Sequence, residues 1–144
     1  MTKISEARTV RLDIASRFEM LEVVQTVLSS LATLAGFDED AAHYLSVAVR
    51  ESVVNAIKHG NKLDEKKRVH VSFTLGPKTL DMEVRDEGSG FEPGSVVDPL
   101  APENLLKADG RGIFFMRSFM DEVSYSFPPE GGTVVRMRKV AKEG

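Results

Sequence analysis

The chain has 144 residues, 42% of them hydrophobic and 28% charged, and its net charge of −3 gives non-specific nucleic-acid binding no electrostatic support. The absence of cysteine excludes a disulfide framework, a thiolate nucleophile and Cys-ligated zinc, and His43, His59 and His70 are scattered without metal-ligand spacing. The first residues lack the apolar core of a signal peptide and no apolar run nears membrane-spanning length, so the expectation is one cytoplasmic domain over residues 1–144, without membrane or direct nucleic-acid contact.

Thr9-Val10-Arg11-Leu12-Asp13-Ile14 alternates and predicts a strand at a sheet edge. Ser16 is placed to cap a helix running to about residue 35, with Phe18, Leu21, Val24, Leu28, Leu31 and Leu34 on its buried stripe. Gly36 is its stop. Asp38, followed by Glu39 and Asp40, predicts the start of a second helix that ends at Gly60 by the same device. Tyr44, Leu45, Ala48, Ser52, Val53, Ala56 and Ile57 recur along it at intervals of three and four and form one broad buried face.

Residues 69–75 alternate with their apolar side chains at odd positions, Gly76-Pro77-Lys78 turns the chain, and Leu80, Met82 and Val84 face inward on a second strand of the hairpin. The stretch from residue 92 to 109 carries Pro93, Pro99 and Pro102 with little periodicity, and is read as a lid over a site. A third helix is expected over 113–120, then strands over 123–127 and 133–140 about the turn Pro128-Pro129-Glu130-Gly131-Gly132. Helices in blocks with largely antiparallel strands predict an α+β two-layer sandwich: a mostly antiparallel mixed sheet covered by helices on one face.

Glu51 and Asn55 lie four residues apart on the second helix, with Lys58 three further on. A carboxylate, a carboxamide and an amine on one stripe suit a magnesium–phosphate site, with one base, one oxygen for the metal and one cation for the phosphate. The same residues fit a partly solvated helix stripe equally well. Asp86-Glu87-Gly88-Ser89-Gly90 places a carboxylate at a strand end, before two glycines that let a planar ligand approach the backbone. Such a carboxylate suits the exocyclic amine of adenine, and it also suits an ordinary loop turn. Glycines stand where an EF-hand loop needs oxygen ligands. Gly110-Arg111-Gly112 at a helix start offers backbone N–H groups to phosphate, or is a hinge. Gly132-Thr133 brings a hydroxyl toward the same region, or is a hairpin exit.

Taken together, in this order, these segments resemble the GHKL (Bergerat-fold, histidine-kinase-like) ATPase superfamily and, within it, the bacterial anti-sigma-factor serine kinases. Glu51-x-x-x-Asn55-Ala56-x-x-His59-Gly60 is similar to that family's N box. Asp86-x-Gly88-x-Gly90-Phe91 resembles its first glycine box, Gly110-x-Gly112-Ile113 its second, and Gly132-Thr133 its terminal Gly-Thr element. Asp98-Pro99, Pro102-Glu103-Asn104-Leu105-Leu106 and Met120-Asp121-Glu122-Val123 resemble further elements of this branch. Ile113 stands where leucine is more usual, and the lid is shorter than in distant members.

The resemblance implies ATP and Mg2+ as cofactors and assigns roles. Glu51 would be the general base and Asn55 the protein ligand to Mg2+. Lys58 would contact phosphate, while His59 would face the helix C-terminal dipole. Asp86 would read the adenine amine, directly and through a water shared with Thr133. Gly88 and Gly90 would admit the base, and Gly110, Arg111 and Gly112, with Ile113 beside them, would cradle phosphates. The implied activity is a protein serine/threonine kinase that phosphorylates a small anti-anti-sigma (STAS-type) protein and sequesters a sigma factor, with homodimerisation as a family expectation. A nucleotide-gated binding module without phosphotransfer is the alternative, against which the retained Glu51 argues. A two-component histidine kinase would carry a phosphoacceptor histidine on an upstream helix, and the 16–35 segment has none.

Overall fold

The computed structural model describes residues 8–88 and 116–141. The chain runs from strand β1 (Thr9–Ala15) through a 3-10 turn (Phe18–Met20) to helix α1 (Leu21–Leu34) and helix α2 (Glu39–Asn55). A wide π turn (Ala56–Gly60) continues α2, and the strands β2 (Arg68–Gly76), β3 (Thr79–Arg85), β4 (Glu122–Ser126) and β5 (Val134–Val140) follow. They form one sheet in the order β1-β2-β3-β5-β4, every described pairing antiparallel, so the mixed component of the expectation is absent among the described residues. β1 occupies an edge, as its alternation predicted, and β3 lies at the centre.

Period-two patterning makes the sheet two-faced. Val69, Val71, Phe73 and Leu75 of β2 are buried with Leu80, Met82 and Val84 of β3 and Val135 and Met137 of β5. They meet Val24, Leu28, Leu31 and Ala32 of α1 and Leu45, Ala48, Val49 and Val53 of α2 in one core. Gln25 Nε2 donates to Ser46 Oγ at 2.8 Å and links the two helices. The opposite face carries charge in register: Asp81 and Glu83 of β3 lie directly across from Arg138 and Arg136 of β5, and both pairs close at 2.7 Å. Opposed charges on neighbouring strands favour this register, although exposed pairs contribute little to stability.

Both helix boundaries near Gly36 follow local chemistry. Gly36 takes φ +91°, and Phe37 N and Gly36 N donate to Ala32 O and Thr33 O, a two-bond left-handed stop for α1. Asp38 then caps α2, its Oδ1 accepting from Ala41 N at 2.8 Å.

Several local expectations are corrected. Ser16 does not cap α1: it lies before the 3-10 turn and is buried, its hydroxyl bonded to Asn61 instead. Phe18 and Leu34 are exposed rather than on the buried stripe: Phe18 precedes the helix, which begins only at Leu21, and in the last turn Leu31 and Ala32 are the residues that face the core. Tyr44 is also largely exposed and packs its ring on Phe119 at 5.3 Å. Gly60 is not a left-handed stop, since the positive-φ residues here are Lys62 and Leu63. Of the third helix the described part is 116–119, with Met116 and Met120 buried, and Lys139 Nζ stands 4.3 Å from the Phe119 ring centroid. The 92–109 segment lies outside the described residues. Among the described residues, no helix is long and apolar enough to cross a membrane.

If Asp38 sets the start of α2, Asp38→Ala will lower stability by about 1 kcal/mol. A chemical-denaturation midpoint unchanged from wild type would show that the cap contributes nothing.

Candidate active site

β3 is the central strand, and its exit delivers Asp86 against Gly60, at the end of the π turn that continues α2. Asp86 is only 4% exposed. Its Oδ1 accepts from Gly88 N at 2.9 Å and from Thr133 N at 3.1 Å, while its own N–H donates to Thr133 O at 3.1 Å. Thr133 therefore enters the site first through its backbone, clamping Asp86 in the manner of a ladder pair just before β5.

Three glycines surround this carboxylate, each for a different reason. A Cβ on Gly60 would sit 1.9 Å from Asp86 Oδ2. One on Gly88 would lie 2.1 Å from Gly60 O, and one on Gly132 would lie 2.4 Å from Asp86 O. Gly132 also takes φ +85°, a conformation side chains disfavour. Gly88, expected to admit a ligand, is thus also required for the contact between the α2 end and the β3 exit.

Glu51 and Asn55 share the C-terminal half of α2 and are half-buried. Asn55 Oδ1 is buried and has no hydrogen-bond partner among the described residues, a condition that costs about 1–3 kcal/mol unless a partner meets the oxygen. Lys58 and His59 are exposed on the π turn. This turn holds more residues than an α-helical one, so positions after Asn55 lag the 3.6-residue register and the expected Glu51–Asn55–Lys58 stripe breaks at Lys58. Gly90, Gly110, Arg111, Gly112 and Ile113 lie outside the described residues.

Asn61 was missed by the sequence reading and is completely buried. Its Oδ1 accepts from Glu87 N at 2.7 Å, and its Nδ2 donates to Ser16 Oγ at 3.1 Å and Arg68 O at 3.0 Å. An asparagine just past a helix C-terminus usually reads as a solvated turn residue, so periodicity offered no signal for it. Glu87, the next residue after Asp86, accepts from Arg68 N at 2.9 Å and lies 2.8 Å from His70 Nε2.

The arrangement offers a buried acceptor at a strand end, an unpartnered carboxamide oxygen and a carboxylate on one helix. A model of the histidine kinase-like ATPase domain matches residues 14–139. The chain belongs to that family. Its similarity to the anti-sigma F factor of Bacillus subtilis is 36% identity over 118 residues, 79% of each chain. With the serine-protein kinase RsbW of Listeria monocytogenes it shares 26% over 137 residues, 91% of this chain and 87% of the relative. These relatives place it on the branch of anti-sigma-factor serine kinases. Among solved structures, the SiaB–SiaC complex of Pseudomonas aeruginosa contains a chain of the same fold, with TM-score 0.70 at 11% identity, covering 94% of this chain and 92% of that one. The RsbU and RsbW domains of Rv1364c from Mycobacterium tuberculosis give 0.67 at 17% identity, this chain being 94% covered and spanning 33% of that longer protein.

In this histidine kinase-like ATPase domain the acceptor is costly. Burial pushes the Asp86 carboxyl above its ordinary value of 3.8, against the hydrogen bonds from Gly88 and Thr133 and the positive charges of Lys67 and Arg85. Between 3.8 and the raised value the folded chain binds more protons than the unfolded one, so stability falls as pH rises through that window. Above the window the ionised Asp86 is a net destabilising group. Asp86→Asn therefore raises the melting temperature of the nucleotide-free protein at neutral pH, and the gain vanishes as pH falls toward 3.8. A gain that does not depend on pH would show that ionisation at Asp86 is not its source.

Proposed function

We propose that this chain is an ATP- and Mg2+-dependent protein serine kinase acting as an anti-sigma factor. The reading is carried by the buried Asp86 carboxylate, kept ionisable at a strand end at a cost to stability and fenced by glycines. Such an acceptor suits the exocyclic amine of adenine, which donates and does not accept, whereas guanine presents a carbonyl oxygen there. Exclusion of the wrong base follows from like facing like.

Glu51 lies one helical turn before Asn55 and is the general base, taking the proton from the attacking serine hydroxyl as its oxygen bonds to the γ-phosphorus and the bond to the ADP oxygen breaks. Asn55 fits a magnesium ligand because its Oδ1 is buried and unpartnered. Mg2+ takes oxygen ligands and completes its shell with waters and phosphate oxygens, so one protein oxygen suffices. Among the described residues no group of three His, Asp or Glu side chains could hold a metal alone. When bound, the ion neutralises phosphate charge. Lys58, exposed at the helix end, is assigned to phosphate, as are Gly110, Arg111 and Gly112, with Gly90 beside the base and residues 92–109 as the lid.

The phosphoryl acceptor is a serine of a small anti-anti-sigma (STAS-type) protein, and the sequestered partner is a sigma factor. Support for this comes from the names of the relatives, one an anti-sigma F factor and the other a serine-protein kinase.

Incubation with γ-labelled ATP and candidate anti-anti-sigma proteins tests the reaction. Glu51→Gln keeps the shape and removes the base, so it should lower the transfer rate by at least about a hundredfold while ATP affinity holds. Label transfer at the wild-type rate would remove Glu51 from its role. Asn55→Ala should abolish the dependence of ATP affinity on magnesium. Calorimetric titrations that keep the same gain on adding magnesium would count against Asn55 as the ligand.

A further inference from the structure

Two chain segments cross at the site with backbone touching backbone: Gly60-Asn61 at the end of α2 and Asp86-Glu87-Gly88 at the exit of β3. The Gly60 and Gly88 contacts leave no space for a methyl group between them. Contact alone does not fix one segment against the other, because a glycine offers neither side chain nor a preferred dihedral. The side-chain bond that spans the crossing is the 2.7 Å one from Glu87 N to Asn61 Oδ1.

Asn61 is itself held firmly. Both carboxamide protons are used, on Ser16 Oγ and Arg68 O, so the group cannot rotate without breaking all three bonds. Its backbone N–H reaches Ala56 O at 2.7 Å and its carbonyl accepts from Asp64 N at 3.0 Å. The next two residues, Lys62 and Leu63, take φ +53° and +63°, which non-glycine residues adopt only where the surroundings impose it. The chain thus accepts two unfavourable conformations directly after a residue whose side chain is locked to Ser16 just past β1, to β2 and to the β3 exit.

We propose that Asn61 is a positioning residue for adenine recognition, holding the backbone after Asp86 against the end of α2 so that the Asp86 carboxylate meets the base at hydrogen-bonding distance. This rests on the reading of Asp86 given above. Asn61 is completely buried and its carboxamide is bonded to Ser16, Arg68 and Glu87, so it acts through the backbone it holds. It sets the position of a neighbour whose hydrogen bond weakens steeply with misalignment.

Kd values for ATP and GTP, measured by calorimetry on the full chain beside a thermal melt, test the proposal in Asn61→Ala, Asn61→Ser, Ser16→Ala and Asp86→Asn. Asn61→Ser retains a small polar group and covers the case in which Asn61→Ala does not fold. Both Asn61 variants are expected to weaken ATP about tenfold and GTP less than about twofold, so the ATP preference falls by most of that factor. Ser16→Ala removes one bond to Asn61 but keeps the one to Glu87, and should melt lower with the ATP preference within about twofold of wild type. Asn61 variants that melt lower yet keep the wild-type preference would reduce the residue to a structural one and overturn the proposal. Loss of preference in Asp86→Asn alongside intact preference at Asn61 overturns the positioning role alone. An unchanged preference in Asp86→Asn overturns the reading of the site, and the positioning role with it.

Discussion

A carboxylate sunk into the end of a central strand has to be met by donors, and the way Asp86 is met organises the site. Gly88 and Thr133 supply backbone N–H groups to one oxygen, and the other faces the Cα of Gly60. Those groups come from the β3 exit, the β5 entry and the end of α2, three segments far apart in the chain. Each approaches closely only because a glycine stands at or beside the contact. Substituting any of the three with a side chain would push apart the elements that carry the chemistry, since the packing there has no slack to absorb a methyl group.

The same contact sets function against stability. A carboxylate in apolar surroundings prefers its proton, and the two N–H bonds with Lys67 and Arg85 only partly offset that preference. The protein therefore holds a group whose ionised form destabilises the fold above the window in which it titrates. Asn55 adds a local cost in neutral form, with a buried oxygen that has no partner among the described residues. Both sites of local cost lie where a nucleotide and its cation are assigned, while the exposed face of the sheet shows matched charges in register.

Much of the scaffold was legible in the residues because the rules involved are local. The alternation in β2 and β3 is set by the two-residue period, and the stop at Gly36 and the cap at Asp38 are made by backbone and side-chain groups within a few positions. At Ser16 and Gly60 a distant partner decided the outcome. Ser16 has the chemistry of a helix cap but spends its hydroxyl on Asn61, 45 positions away. Gly60 has the composition of a helix stop, yet its backbone is not left-handed, and its lack of a side chain serves Asp86 instead. Lys58 falls off the Glu51–Asn55 stripe because α2 widens into a π turn, which helical periodicity does not anticipate.

The sequence alone determined the α+β class, the edge position of β1, the apolar faces of the elements and the candidacy of Glu51, Asn55 and Asp86, since pattern and residue chemistry are properties of short stretches. Only the tertiary structure decided that Asp86 is buried, that Gly60, Gly88 and Gly132 are needed for backbone contact around it, and that Asn61 joins the β1 exit, β2 and the β3 exit. Burial, steric exclusion and a hydrogen bond between remote segments exist only once the chain has brought those segments together, so no local window of residues carries their signature.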